Sequence, residues 1–508
     1  MSAAPRYSDN RRGRTQIRGS SLLLAGRLIS KLVNFAVQVA VVRLLTKEDF
    51  GLFAYGIGIA TAGELLVKIG IGKASSRFVP IYFARGQKGH VLGTLVAVTA
   101  MILCLSAFAW VMLGWALYAG VGSLPTGDAR AVILVLAILA PVQALDAIAI
   151  QTLACFSEAR PIFLRKHVLT PALKVGAVVI AYFAGGGPTT LAHAWLAGGI
   201  MGLMLCLTLL RRALAREGLL DTPRSDWHVE WRALFRHSWP LVTSDVFAIS
   251  ITAITTVLLY ALAGESEVAT VRAVLPAATL NLVVLQSFAI LYTPSAARLY
   301  ARSELDTMRR RHWQAGAWVA VLSFPVFALT FGIAPALVPF VFGEPYRDAA
   351  VVLAVLAVGE YCTVFAAFGA ETLQVMGLRR AILTANLLAT AVALGTAVAL
   401  IPDTGALGAA IAAALGRAVA AALRQAFLFG PGGFGGFPAP QRRVGSMLLA
   451  AILATVAVGW WWRPDLIWQC LTLCVITLWL MRATAGELDI RQTFPEIERV
   501  PGLRKLVS

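Results

Sequence analysis

Charge is scarce in this chain: 14% of its 508 residues are Asp, Glu, Lys or Arg, whereas soluble domains carry about 25%. That shortage, beside 58% hydrophobic residues, excludes an ordinary soluble globular protein. Histidine is rarer still. The six (His90, His167, His193, His228, His237 and His312) are scattered, with no acidic or cysteine cluster that would make a metal site. The six cysteines, Cys104, Cys155, Cys206, Cys362, Cys470 and Cys474, lie in or beside apolar blocks and read as small buried hydrophobes, not as a disulfide framework. No nucleophile elbow, P-loop or acidic metal cluster occurs, so ATP hydrolysis within the chain is excluded and no cofactor is expected. A basic stripe with interleaved aromatics is also missing. The net charge of +18 therefore does not point to nucleic acid.

What is present is a succession of apolar blocks of roughly 20 residues, each long enough to cross about 30 Å of hydrocarbon. Fourteen spans are expected: 20–44, 50–72, 91–119, 131–155, 164–184, 189–212, 240–262, 270–293, 313–342, 350–376, 381–401, 407–429, 444–462 and 466–482. The first block follows a polar, arginine-bearing start and is too long for a signal-peptide core, so it reads as a retained helix. Charge bias tests the count. The N-terminus, alternate loops and the tail from Arg482 hold 32 of the 44 Lys and Arg, while the opposite loops hold Lys47, Arg130, Arg347 and Arg463. By the positive-inside rule both termini are cytoplasmic, in a bacterial inner membrane. The external loops are short and acidic, carrying for example Glu48, Asp49, Glu265, Glu267, Glu344 and Asp403. An enzyme acting on external glycans usually needs a sizeable external domain, and these loops leave no room for one.

An internal repeat appears at an offset near 219 residues, pairing Glu48 with Glu267, Arg85 with Glu304, Arg160 with Arg379, and Gly186 with Gly405. The fold class that follows is an all-α polytopic membrane protein. Residues 1–212 form one six-helix lobe, 213–239 a cytoplasmic linker, 240–430 a second six-helix lobe, and 431–508 two extra helices with a tail. In the linker Trp227, Trp231 and Leu234 fall on one helical face, which reads as an amphipathic interfacial helix. Gly430-Pro-Gly-Gly-Phe-Gly-Gly-Phe-Pro is a flexible joint before the extra helices.

Ionisable groups within apolar spans are costly and usually face an interior or a water-filled cavity. In the first span Arg27, Lys31, Asn34 and Gln38 share one face, either lining a cavity or snorkelling to the interface. Lys174, Arg272 and Arg417 are further intramembrane cations, and Thr279 and Gln286 repeat Arg272 on its face. Guanidinium groups suit bidentate phosphate contact, so Arg27, Lys31, Lys174, Arg272 and Arg417 are the candidate substrate-binding cations. Asp146, Asp245, Glu360 and Glu371 either accept a coupling proton or sodium ion or pair with those cations. Glu64 and Lys68, one helical turn apart, read as a local ion pair.

Several segments resemble one family. They are Arg43-Leu-Leu-Thr-Lys-Glu-Asp-Phe-Gly-Leu-Phe (43–53), Phe342-Gly-Glu-Pro-Tyr-Arg-Asp-Ala-Ala (342–350), Gly377-Leu-Arg-Arg with Asn386, and Ile401-Pro-Asp-Thr-Gly-Ala-Leu-Gly-Ala-Ala-Ile-Ala (401–412). In order and spacing they resemble the Wzx-like polysaccharide flippases of the multidrug/oligosaccharidyl-lipid/polysaccharide (MOP) exporter superfamily. The resemblance implies two six-helix lobes around a central cavity and alternating access. It further implies a lipid-linked oligosaccharide as substrate, carried to the periplasmic leaflet for surface polysaccharide biosynthesis, beside polymerase and glycosyltransferase partners. A polytopic glycan polymerase or ligase, or a drug exporter of the same superfamily, is the alternative.

Overall fold

The computed structural model describes residues 29–68, 71–120, 127, 129–156, 159–230, 255–462 and 465–488. Its contacts divide into two compact units, Met1–Ala269 and Thr270–Ser508. Among the described residues eleven helices are long and apolar enough to cross a bilayer. A twelfth forms if Glu265–Thr279 and Leu282–Ile290, bent by 45°, are one broken span. The other two expected spans, 20–44 and 240–262, lie partly outside the described residues.

In the first unit, α1 (29–44) is followed by α2 (Lys47–Val67), α3 (Ile71–Ala84) and α4 (Lys88–Tyr118). Next come α5 (Ala129–Cys155), α6 (Pro161–Phe183), α7 (Pro188–Arg216), α8 (Thr255–Ala263) and the start of α9 (Glu265–Thr279). The motif at 43–53 is a helix cap. Thr46 Oγ1 accepts the Asp49 N–H at 3.2 Å, and Glu48 and Asp49 set negative charge on the positive end of α2. Gly51 follows because a Cβ there would lie 2.1 Å from the Glu265 carbonyl oxygen: α2 and α9 meet backbone to backbone. The expected Glu64–Lys68 ion pair is formed. Helix α4 is apolar all round and presents Leu103, Phe108, Val111 and Trp115 outward, as a lipid-facing helix does.

Residues 73–90, expected as a loop, are largely helical, with α3 and α4 joined by a tight turn at Gly86, φ +70°. The linker also departs from expectation. Helix α7 ends at Arg216, and 217–230 form turns and a single 3-10 turn, Arg224–Asp226. Trp227 packs against the core around Val91 and Leu219, and a Cβ on Gly89 or Gly93 would strike the carbonyl of Asp226 or His228. The rest of the amphipathic stretch lies outside the described residues.

The second unit holds the remainder of α9, α10 (Leu282–Ala301), α11 (Leu305–Gly332) and α12 (Ala334–Phe342). It continues with α13 (Ala349–Val375), α14 (Arg379–Thr404), α15 (Ala406–Phe429), α16 (Ala439–Trp462) and α17 (Leu466–Leu488). The span expected over 313–342 is two helices. Its chain widens into a π-turn at Ala328–Gly332, and Pro335 starts a new helix. A second π-turn, Ala457–Trp462, meets the first. Trp460 Nε1 donates to the Phe331 carbonyl at 3.0 Å, and a Cβ on Gly459 would sit 1.6 Å from the Gly332 oxygen, so only glycine permits this crossing. The alanine-rich α15 packs tightly on its neighbours through small residues, as at Gly359–Ala414 and Gly416–Ala393. Trp461, Trp462 and Trp468 stand exposed at one end of α16 and α17, where amphipathic rings suit the headgroup level.

Two of the paired positions have matching local structure. Glu48 and Glu267 sit in helix first turns. Gly186 and Gly405 turn the chain between α6 and α7 and between α14 and α15 with φ of +75° and +53°.

Candidate functional site

A pocket of 230 Å³ with three charged side chains in its wall lies within the first unit, walled by α5, α6 and α7. Its charged residues are Asp146, Arg165 and Lys174. Helix α6 places two of them. Pro171 has no N–H to continue the α-helical ladder, and the preceding Leu164–Leu169 form a π-turn. The extra residue turns Arg165 inward, where it is 6% exposed. Its Nε donates to Asp146 Oδ1 at 2.9 Å and its Nη1 to Thr170 Oγ1. The guanidinium lies flat on α7 because Gly202 has no side chain: a Cβ there would be 2.7 Å from Nη2. Gly198 and Gly199 similarly admit Leu173 and Leu139.

Lys174 follows two and a half turns after Arg165. It donates to Asn34 Oδ1 at 2.9 Å, and its Nζ lies 5.6 Å from the centre of the Trp195 ring. Trp195 is held edge-on by Phe53 at 5.5 Å. Asn34 in turn donates to the Ser30 carbonyl, and Ser30 Oγ lies 2.9 Å from His167 Nδ1, so one face of α1 is tied to α6. Among the described residues no carboxylate pairs with Lys174. The described lining thus carries two cations against one carboxylate, and Lys174 rests on an amide oxygen and an aromatic face.

The pocket joins two of the residues expected from sequence, Asp146 and Lys174, and Lys174 ties a third, Asn34, to it. Lys31 and Gln38 share the half-buried side of α1 with Asn34. Arg27 and Asp245 lie outside the described residues. In the second unit Arg417 Nη2 sits 3.0 Å from Glu360 Oε1, with Glu360 1% exposed, so these two follow the ion-pairing alternative. Arg272 is half-buried on α9. Thr279 bonds its own helix through the Pro276 carbonyl, Gln286 is exposed on α10, and Glu371 is half-buried in α13 just past a break at Phe368, φ +62°. Asn386, part of the family-like pattern, accepts from Arg424 at 2.8 Å. Sequence reasoning missed Arg165, which looked like a loop arginine. The only signal was Pro171 six residues on, which marks a disturbed helix but not the direction of the arginine.

This architecture is shared with solved membrane transporters. An inward-facing multidrug resistance MATE family transporter of the MOP superfamily matches with a TM-score of 0.63 at 18% identity, over 80% of this chain and 94% of that one. The lipid II flippase MurJ, in an inward closed conformation, matches with a TM-score of 0.66 at 12% identity, over 93% and 99%. A MOP superfamily transporter from Pyrococcus furiosus, described as having a binding pocket of reversed polarity, matches with 0.56 at 19%, over 82% and 95%. The chain therefore has the fold of the MOP exporters. No curated protein sequence matches it significantly. Residues 17–294, more than half of the chain, match the profile of the polysaccharide biosynthesis protein family, and the chain belongs to that family.

Proposed function

We propose that this protein is a flippase that carries a polyprenyl-diphosphate-linked oligosaccharide from the cytoplasmic to the periplasmic leaflet by alternating access, not an enzyme. The observation that carries this reading is Lys174, an intramembrane cation without a carboxylate partner among the described residues, in the unit that the family profile covers. A diphosphate and its sugars must pass a medium that strongly disfavours them. Fixed cations in such a pocket replace part of the lost hydration, and charge-assisted hydrogen bonds to phosphate are about twice as strong as neutral ones. A surplus of positive charge also suits an anionic headgroup better than a cationic drug.

Arg165 is the second phosphate donor in this scheme. In the present conformation its Nε is held by Asp146. A proton on Asp146 removes that hold and leaves the pocket with two uncompensated cations, which favours the anionic substrate. Deprotonation restores the pair and favours release. Substrate and proton then move outward together, and the membrane potential, positive outside, drives their net negative charge, with sodium as the alternative occupant at Asp146. Glycosyltransferases would supply the substrate on one side and a polymerase would consume it on the other.

Deleting the gene tests the function. The expected result is loss of surface polysaccharide together with accumulation of complete lipid-linked repeat units on the cytoplasmic side, both restored by the wild-type chain. Units that reach the periplasmic leaflet at the normal rate would exclude flipping as the protein's task.

A further inference from the structure

A second cavity, of 290 Å³, lies in the second unit between α10 and α11. The two helices run antiparallel through a three-residue turn that bends at Ser303, φ +59°. Their lining residues fall in register. Phe288 lies level with Trp318, Tyr292 with Gln314, and Ser295 with Arg311, whose Nη1 donates to Ser295 Oγ at 3.1 Å. The groove is thus apolar at its deep end and polar toward the turn. Seven residues separate Arg311 from Trp318, about 10 Å along the helix.

The charge around the mouth has one sign in excess. Residues 298–311 hold five arginines (Arg298, Arg302, Arg309, Arg310 and Arg311) against Glu304 and Asp306, leaving three net positive charges. Arg309 is engaged with Asp306 at 3.9 Å and the Gly433 carbonyl at 3.1 Å, and Arg310 with Thr307 at 3.3 Å. Arg311 is turned onto the groove. The groove's floor is rigid. The Tyr292 hydroxyl is 2.7 Å from Thr372 Oγ1 and 3.0 Å from His312 Nδ1, and its ring stacks on Phe368 at 4.2 Å.

We propose that this groove seats an anionic phospholipid of the surrounding bilayer. The phosphate lies on Arg311 and Gln314, and the first acyl carbons lie between Phe288 and Trp318. Basic pockets between membrane helices at an arginine-rich face are suited to anionic headgroups, and an aromatic floor about 10 Å deeper suits the chain and not a free phosphate. The volume holds a headgroup and the start of a chain, below the 300–1,000 Å³ of typical ligand pockets. The site is separate from the pocket at Lys174 and does not depend on what that pocket carries.

The test uses the full-length protein in detergent and headgroup-labelled phosphatidylglycerol retained through gel filtration. Wild type is expected to retain the lipid in preference to labelled phosphatidylcholine. Arg311→Gln should lower retention roughly tenfold, the loss of one charge-assisted contact. Ala315→Leu, which fills the groove without changing charge, should lower it comparably, with thermal unfolding confirming that both variants fold. Arg310→Gln removes the same charge from beside the groove and should change retention less than twofold. Equal losses in the Arg310 and Arg311 variants would reduce the site to a diffuse basic surface and overturn the proposal. Equal retention of phosphatidylcholine would do the same, as would displacement by millimolar inorganic phosphate, which would identify a free-anion site.

Discussion

Lys174→Met is expected to cut translocation of the lipid-linked glycan by about tenfold to a hundredfold, the equivalent of one charge-assisted contact of about 1.5–3 kcal/mol. The same change should leave the folded protein as stable as wild type or more so. Lys174 is hydrogen-bonded to Asn34 and rests over Trp195, and among the described residues no carboxylate is stranded by its removal. A methionine of similar length keeps the packing and ends the cost of holding a cation in a membrane interior. Loss of activity with a maintained melting temperature is the signature of a functional cation. Wild-type transport by the methionine variant would remove Lys174 from the site, and a large fall in melting temperature would make it structural.

Arg165→Leu should behave in the opposite way. It strands Asp146, whose carboxylate is 2.9 Å from the lost guanidinium and faces a small pocket between helices. Breaking one side of a buried pair typically costs about 3–5 kcal/mol, because the remaining charge stays desolvated. The melting temperature in detergent should fall sharply. Adding Asp146→Leu should recover most of that loss, since replacing both partners by apolar groups is often neutral. Transport should not return, because both the phosphate donor and the proton-exchanging group are then gone. If the two single losses simply add in the double variant, the pair is not energetically coupled.

Much of the architecture was legible in the sequence because the bilayer imposes a length and a polarity that few other environments do. Block length and loop charge located the helices from α2 to α17 that meet the criteria for a span. The paired positions were legible because Gly186 and Gly405 sit at turns that need positive φ, and because Glu48 and Glu267 both place negative charge in a helix first turn. Thr46 explains part of the family-like motif at 43–53 as cap chemistry. What stayed hidden depends on local departures from the α-helix. The π-turn at Leu164–Leu169 turns Arg165 from an apparent loop into the wall of the pocket, and the one at Ala328–Gly332 splits an expected span in two. Pairing was equally unreadable. Glu360 and Arg417 are 57 positions apart in sequence and 3.0 Å apart in space, and hydropathy does not report which intramembrane charges will meet.

The central claim is that this chain moves an anionic lipid-linked glycan between leaflets, and reconstitution tests it most directly. Purified protein in liposomes, loaded with a polyprenyl-diphosphate oligosaccharide in both leaflets, would be exposed to an external glycosidase. The account predicts that the protected half of the substrate becomes accessible in wild-type liposomes, faster when a membrane potential positive outside is imposed, and stays protected with Lys174→Met. Protection that persists equally in wild-type and protein-free liposomes, with or without the potential, would contradict it.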